Sequence, residues 1–121
     1  MSAVPKLGAI VLDCPDPVAL AGFYARLLDL PEPAVGDDRD WVNLSDPSGV
    51  RISFQRVESY RPPAWPGQDL PQQLHLDLDV TDLEAAHARA LELGAKTLDE
   101  EPETFRVYAD PAGHPFCLCA C

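Results

Sequence analysis

Asp110-Pro111-Ala112-Gly113 repeats, 64 positions on (110 − 46), the pattern of Asp46-Pro47-Ser48-Gly49. Both read as tight turns, because Asp, Pro and Gly each favour turn geometry for a separate physical reason. Each is followed by an apolar-rich run with the spacing of a strand, Val50-Arg51-Ile52-Ser53-Phe54-Gln55 and Pro115 to Cys121. Each is preceded by another, Trp41-Val42-Asn43-Leu44 and Thr104 to Ala109. The first turn and its flanking runs predict a hairpin with Val50, Ile52 and Phe54 on its packing side.

Outward from the turns, two helices appear at matching places. Asp16-Pro17 predicts a helix start, since Asp caps free amides and Pro is tolerated in the first turn. Leu20, Phe23, Tyr24, Leu27 and Leu28 then recur at the spacing of one helical face, and the helix is expected to end near Asp29. Asp82 starts the second helix, 66 positions after Asp16 (82 − 16), with Leu83, Ala86, Ala90 and Leu91 as its buried face and Gly94 as its stop.

A strand precedes each helix. Leu7 to Asp13 is apolar on both faces. Gln72 to Val80 alternates, with Leu74, Leu76, Leu78 and Val80 on one side and Gln73, His75, Asp77 and Asp79 on the other. Ala95 to Leu98 adds a short strand. The chain therefore reads as an α+β protein of two tandem βαβββ modules, about 7–56 and 72–121, within one domain spanning 1–121.

Between the modules, Glu58 to Pro71 shows no periodicity and carries Pro62, Pro63, Pro66 and Pro71 around Trp65, with Tyr60 nearby. A stiff, aromatic-bearing connection of this length is expected to pack over its own domain's core edge rather than to contact a ligand.

With 121 residues the chain is long enough to bury a core unaided. Its net charge of −11 and lack of clustered Lys and Arg argue against nucleic acid as a partner. No apolar run reaches the ~20 residues needed to cross a bilayer, and the first residues lack the layout of a signal peptide. A cytoplasmic protein with reduced thiols is expected. Cys117, Cys119 and Cys121 alternate in one strand, where a bridge between neighbours on a face is strained.

The paired modules, with a D-P-x-G turn before each last strand, resemble the vicinal oxygen chelate superfamily, which holds glyoxalase I, extradiol dioxygenases, and bleomycin- and fosfomycin-resistance proteins. Phe54-Gln55, Tyr60, Pro63-Ala64-Trp65-Pro66 and Pro71 to Asp77 look like its glyoxalase-like subgroup, common in actinobacterial genomes. The resemblance implies a curled, cup-shaped mixed sheet with helices outside and a small-molecule site within. It implies inward-facing Ala9, Val11, Ser53, Gln55, His75, Asp77, Cys117 and Cys119, with Trp41 and Phe105 as aromatic walls. It also implies a homodimer.

Metal-using members of that superfamily draw ligands from the first and last strand of each module. Carried onto this chain, those positions are Ala9, Ser53, His75 and Cys117. Ala9 cannot coordinate and Ser53 is a poor ligand, so only His75 and Cys117 remain as good donors, short of the three or four a stable site takes. No cofactor is therefore expected, and a divalent metal is the alternative, through a shifted shell of His75, Gln55 and Cys117 with Asp77 or Cys119. Three cysteines near a chain end are expected to behave as small apolar residues, His114 to be solvated, and His87 to be packed or at an edge. Direct contact between His75 and Asp77 is not expected, since backbone two residues apart along a strand spans about 6.5 Å. The function expected is binding of a small, partly aromatic molecule, and the alternative is a metal-dependent lyase or dioxygenase acting on adjacent oxygens.

Overall fold

The computed structural model describes residues 3, 6–47 and 49–120, so the readings made for Ser48, for Cys121 and for most of the first five residues lie outside it. Nine elements follow one another: β1 (Ala9–Cys14), α1 (Pro17–Leu27), β2 (Trp41–Leu44), β3 (Arg51–Arg56), β4 (Leu76–Asp79), α2 (Leu83–Leu93), β5 (Lys96–Asp99), β6 (Phe105–Ala109) and β7 (Pro115–Cys119). The architecture is α+β, with one sheet in the order β1-β3-β2 and a second in the order β4-β7-β6-β5. The chain divides into two compact units, Met1–Tyr60 and Arg61–Cys121, the boundary falling inside the proline-rich connection. Among the described residues no helix is long and apolar enough to cross a membrane.

In the first unit, the Asp16 side chain accepts from the Ala19 amide at 3.2 Å, and Pro17 sits in the first turn. α1 packs across β1, β2 and β3. Leu20, Phe23 and Tyr24 are buried against Leu12, Cys14, Val42, Leu44 and Phe54, the alternate residues of the three strands. Each large apolar side chain so buried stabilises by about 1.5–3 kcal/mol. Tyr24 stacks on Phe54 at 5.9 Å and meets Phe23 edge-on at 5.0 Å. The helix stops where Asp29 takes a left-handed φ of 55° and the Leu30 amide returns to the Ala25 carbonyl at 2.8 Å. Asp tolerates that region better than most residues. This module carries two strands after its helix, where the second carries three.

The second unit repeats the plan. Asp82 accepts from the Ala85 amide at 3.1 Å, and Gly94 ends α2 with φ 115°, a conformation that costs glycine little. Tyr108 stacks on Phe116 at 5.4 Å, and the Nδ1 of His87 lies 2.7 Å from the Tyr108 hydroxyl, so His87 is packed, as expected. Arg106 and Glu84 form an ion pair between β6 and α2, whose hydrogen bond holds the Glu84 carboxyl below its ordinary range. The buried face of α2 is narrower than its sequence pattern predicts: Ala90 is buried, Leu83 and Ala86 are half-buried, and Leu91 is 39 % exposed. The reason is that α2 packs mainly along the single strand β7, whereas α1 spans three strands.

β4 is also shorter than expected. Its ladder opens at Leu76, opposite Phe116, and Leu74 is left 48 % exposed outside it. The residue before Phe116 is Pro115, which has no N–H to give a longer ladder.

Candidate functional site on the second sheet

The two sheets pair in equivalent registers. Parallel pairing sets Val11 opposite Ser53 and Asp13 opposite Gln55 in the first sheet, and Asp77 opposite Cys117 and Asp79 opposite Cys119 in the second. Antiparallel pairing sets Asn43 opposite Ser53 and Trp41 opposite Gln55, and correspondingly Val107 opposite Cys117 and Phe105 opposite Cys119. The offsets are those of the sequence repeat, so the faces turned away from the helices can be compared position by position.

On the first sheet that face is occupied by its own polar side chains. The Ser53 hydroxyl, fully buried, donates to the Asn43 amide oxygen at 2.6 Å, and the Trp41 indole N–H donates to the same oxygen at 2.9 Å. Trp41 is thus tied to Ser53 through Asn43 and is itself 40 % exposed. Gln55 is exposed at the next position along β3. Asn43 is the residue that sequence reading missed. Its place beside Trp41 at strand spacing is the signal that could have found it.

The corresponding face of the second sheet gathers three predicted residues. Donor atoms of His75, Asp77 and Cys117 all lie within 4.8 Å of one another. His75 Nε2 stands 3.0 Å from Asp77 Oδ1, which corrects the expectation that the two could not touch. That expectation used backbone spacing alone. The imidazole is long, and His75 precedes the first ladder residue of β4, so its ring is free to lean along the strand toward Asp77. The Cys117 thiol, 8 % exposed, is pushed up to about 11, first by burial and then by the Asp77 carboxylate, which also accepts its hydrogen bond. His75 and Asp77 keep 41 % and 60 % of their side chains open to solvent, so the cluster is reachable from outside.

Beside it, Val107, Cys117 and Cys119 form a buried apolar patch with Trp65 packed on it. The proline-rich segment therefore lies over the core edge of its own unit, as expected. Its seat is the second D-P-x-G turn. The buried Asp110 carboxylate accepts from the amides of Ala112 at 2.9 Å and His114 at 3.0 Å, and the Gly113 amide donates to the Asp110 carbonyl at 2.8 Å. Gly113 has φ 91°, and a Cβ there would stand 2.6 Å from the Cβ of Pro62, so only glycine admits this close approach. His114 is half-buried in that turn rather than fully solvated, its backbone N–H donating to the Asp110 carboxylate. Pro62, Pro63 and Trp65 of the proline-rich segment, Lys96 and Leu98 of β5, and Asp110, Pro111 and Gly113 of the turn border an open cleft of about 390 Å³. Phe105, 38 % exposed opposite Cys119, stands at the far end of the same sheet face.

The glyoxalase-like domain family matches residues 9–119, nearly the whole of both units. The chain belongs to that family. Solved structures of similar fold include a glyoxalase/bleomycin resistance protein/dioxygenase family enzyme from Burkholderia phytofirmans PsJN, at TM-score 0.73 and 18% identity over 94% of this chain and 97% of that one. A mutant of the fosfomycin resistance protein FosX from Listeria monocytogenes, in complex with Mn(II) and 1S,2S-dihydroxypropylphosphonic acid, matches at TM-score 0.71 and 16% identity over 97% and 90%. The oxidase ChaP-H1 matches at TM-score 0.65 and 18% identity over 95% and 94%. Identities this low speak for the fold alone. No curated protein matches the chain.

The glyoxalase-like resemblance brings with it a divalent metal held by four positions, and two of those do not fit. Ala9 has no donor atom, and the Ser53 hydroxyl is buried and already given to Asn43. The family's four-ligand set cannot be assembled from this chain. What remains is His75 and Cys117, with Asp77 beside them.

Proposed function

We propose that this chain is a glyoxalase-like small-molecule-binding protein whose ligand lies on the open face of the second sheet and in the cleft beside it. The observation that carries the reading is that cleft: about 390 Å³, walled by three prolines and an indole, with Lys96 as its cation and Asp110, whose carboxylate is held by the turn amides, as its acid. Its volume falls within the range of small-molecule sites, and its apolar walls with few polar groups match their usual make-up. A small, planar, partly aromatic molecule fits such walls, and the ammonium of Lys96 favours one that carries an acid group. The net charge of −11 makes that local cation the more telling, since the rest of the surface repels anions.

In this reading residues 1–121 work as one domain, in the cytoplasm and as a homodimer, and sedimentation tests the last of these. The binding claim is tested by a thermal-shift screen of planar carboxylates, followed by titration of any hit against the parent protein and Trp65→Ala. Binding in the parent that weakens at least tenfold in the variant supports the reading. A hit that binds both alike is not using this cleft.

A second reading, a metal-dependent lyase or dioxygenase acting on a substrate with adjacent oxygens, is favoured by one observation, the convergence of His75, Asp77 and Cys117. It requires turnover that chelators abolish and that His75→Ala removes.

A further inference from the structure

We propose that His75, Asp77 and Cys117 form a metal site of the second unit alone, selective for thiophilic ions such as Zn(II) over Mn(II). The proposal shares its residues with the second reading above but does not require turnover. It lies on the same sheet face as the proposed ligand but outside the cleft, whose walls include none of the three.

Three features of the molecule lead to it. The donors are one nitrogen, one oxygen and one sulfur, all within 4.8 Å of one another. Zinc at about 2.0–2.3 Å from each donor places ligand atoms about 3.3–3.8 Å apart, within reach of small rotamer adjustments here. The second feature is the contrast between the repeats. In equivalent registers the first sheet pairs Val11 with Ser53 where the second pairs Asp77 with Cys117, and two residues earlier in the chain Ala9 stands where the second repeat has His75. The first unit's only oxygen among these is sequestered by Asn43. Donor capacity is concentrated in one repeat, and Asp77 replaces what the other fails to supply. The third feature is access, since His75 and Asp77 are half-exposed on the open face while Cys117 forms the floor.

The sulfur decides the selectivity. Thiolate favours Zn(II) and other soft or borderline ions, whereas Mn(II) prefers oxygen-rich octahedral shells and also stands lowest in the general affinity order. Binding displaces the thiol proton to solvent and forms the metal–sulfur bond, with no change of oxidation state. Three protein ligands leave a coordination position open to water or to a small molecule.

The test uses untagged full-length protein, stripped with chelator and kept reduced, titrated separately with Zn(II), Mn(II) and Co(II). The expected result is one zinc per chain, bound at least 100-fold more tightly than manganese. The cobalt form is expected to show sulfur-to-metal charge-transfer absorption in the near ultraviolet, lost in Cys117→Ser and kept in Cys119→Ser. Ser53→Ala and Gln55→Ala are expected to bind zinc as the parent does, because neither belongs to the set. Manganese binding as tight as zinc, a cobalt spectrum without a thiolate band, or weakened zinc binding in Ser53→Ala would each overturn the proposal. So would the absence of zinc binding in a protein that still binds its small molecule, and that outcome leaves the function proposed above standing.

Discussion

The thiol of Cys117 offers a test of the site's electrostatics that needs no ligand. Burial and the neighbouring Asp77 carboxylate both favour the neutral thiol, moving it from its ordinary 9.0 to about 11. At pH 8 an ordinary thiol is about 9 % thiolate and one at 11 is about 0.1 %, so alkylation by iodoacetamide should run roughly 100-fold slower than for an ordinary thiol. The assay is mass-spectrometric quantification of the Cys117 peptide against time, from pH 7 to 11.5, in chelator-treated reduced protein. Asp77→Asn removes the second cause but not the first, so its midpoint should fall while staying above 9.0. Because folding raises this group's pKa, the unfolded thiol loses its proton before the native one. The native state therefore loses stability as pH rises from about 9 through about 11, and the group contributes no pH dependence below that window. A midpoint at or below 9.0 in the folded protein would refute the picture of a buried thiol facing a carboxylate.

The turn that seats the proline-rich segment makes further demands. Gly113→Ala forces a side chain into φ 91° and against Pro62, so it should cost about 1–3 kcal/mol in urea denaturation and weaken ligand binding by displacing Trp65. Asp110→Ala strands the amides of Ala112 and His114 and should cost about 1.5–3 kcal/mol by the same measurement. Asp82→Ala removes a helix cap remote from the cleft and should cost about 1 kcal/mol while leaving ligand affinity unchanged.

Features set by neighbours in sequence were legible before any coordinates. The Asp16 and Asp82 caps, the Gly94 stop and the two D-P-x-G turns each depend on residues within four positions of one another, and the two helices and the first hairpin follow from them. The repeat was legible for the same reason, and the equivalent strand registers show how far it extends. Features set by reach across strands were not. His75 meets Asp77 through side-chain length that backbone spacing ignores. Ser53 was placed as a pocket residue, but Asn43, on the adjoining strand, takes its hydroxyl. Leu91 follows a helical face correctly and is still exposed, because periodicity records which residues share a face and not how wide a partner that face meets.

The central functional claim is that a small molecule binds the second sheet's face. Amide chemical-shift mapping with the strongest binder from the carboxylate screen tests it most directly. Perturbations are expected to cluster at residues 62–65, 75–79, 96–98 and 105–119, with residues 41–55 of the first sheet undisturbed. Perturbations confined to residues 41–55, or a screen of such molecules that yields no binder, would contradict it.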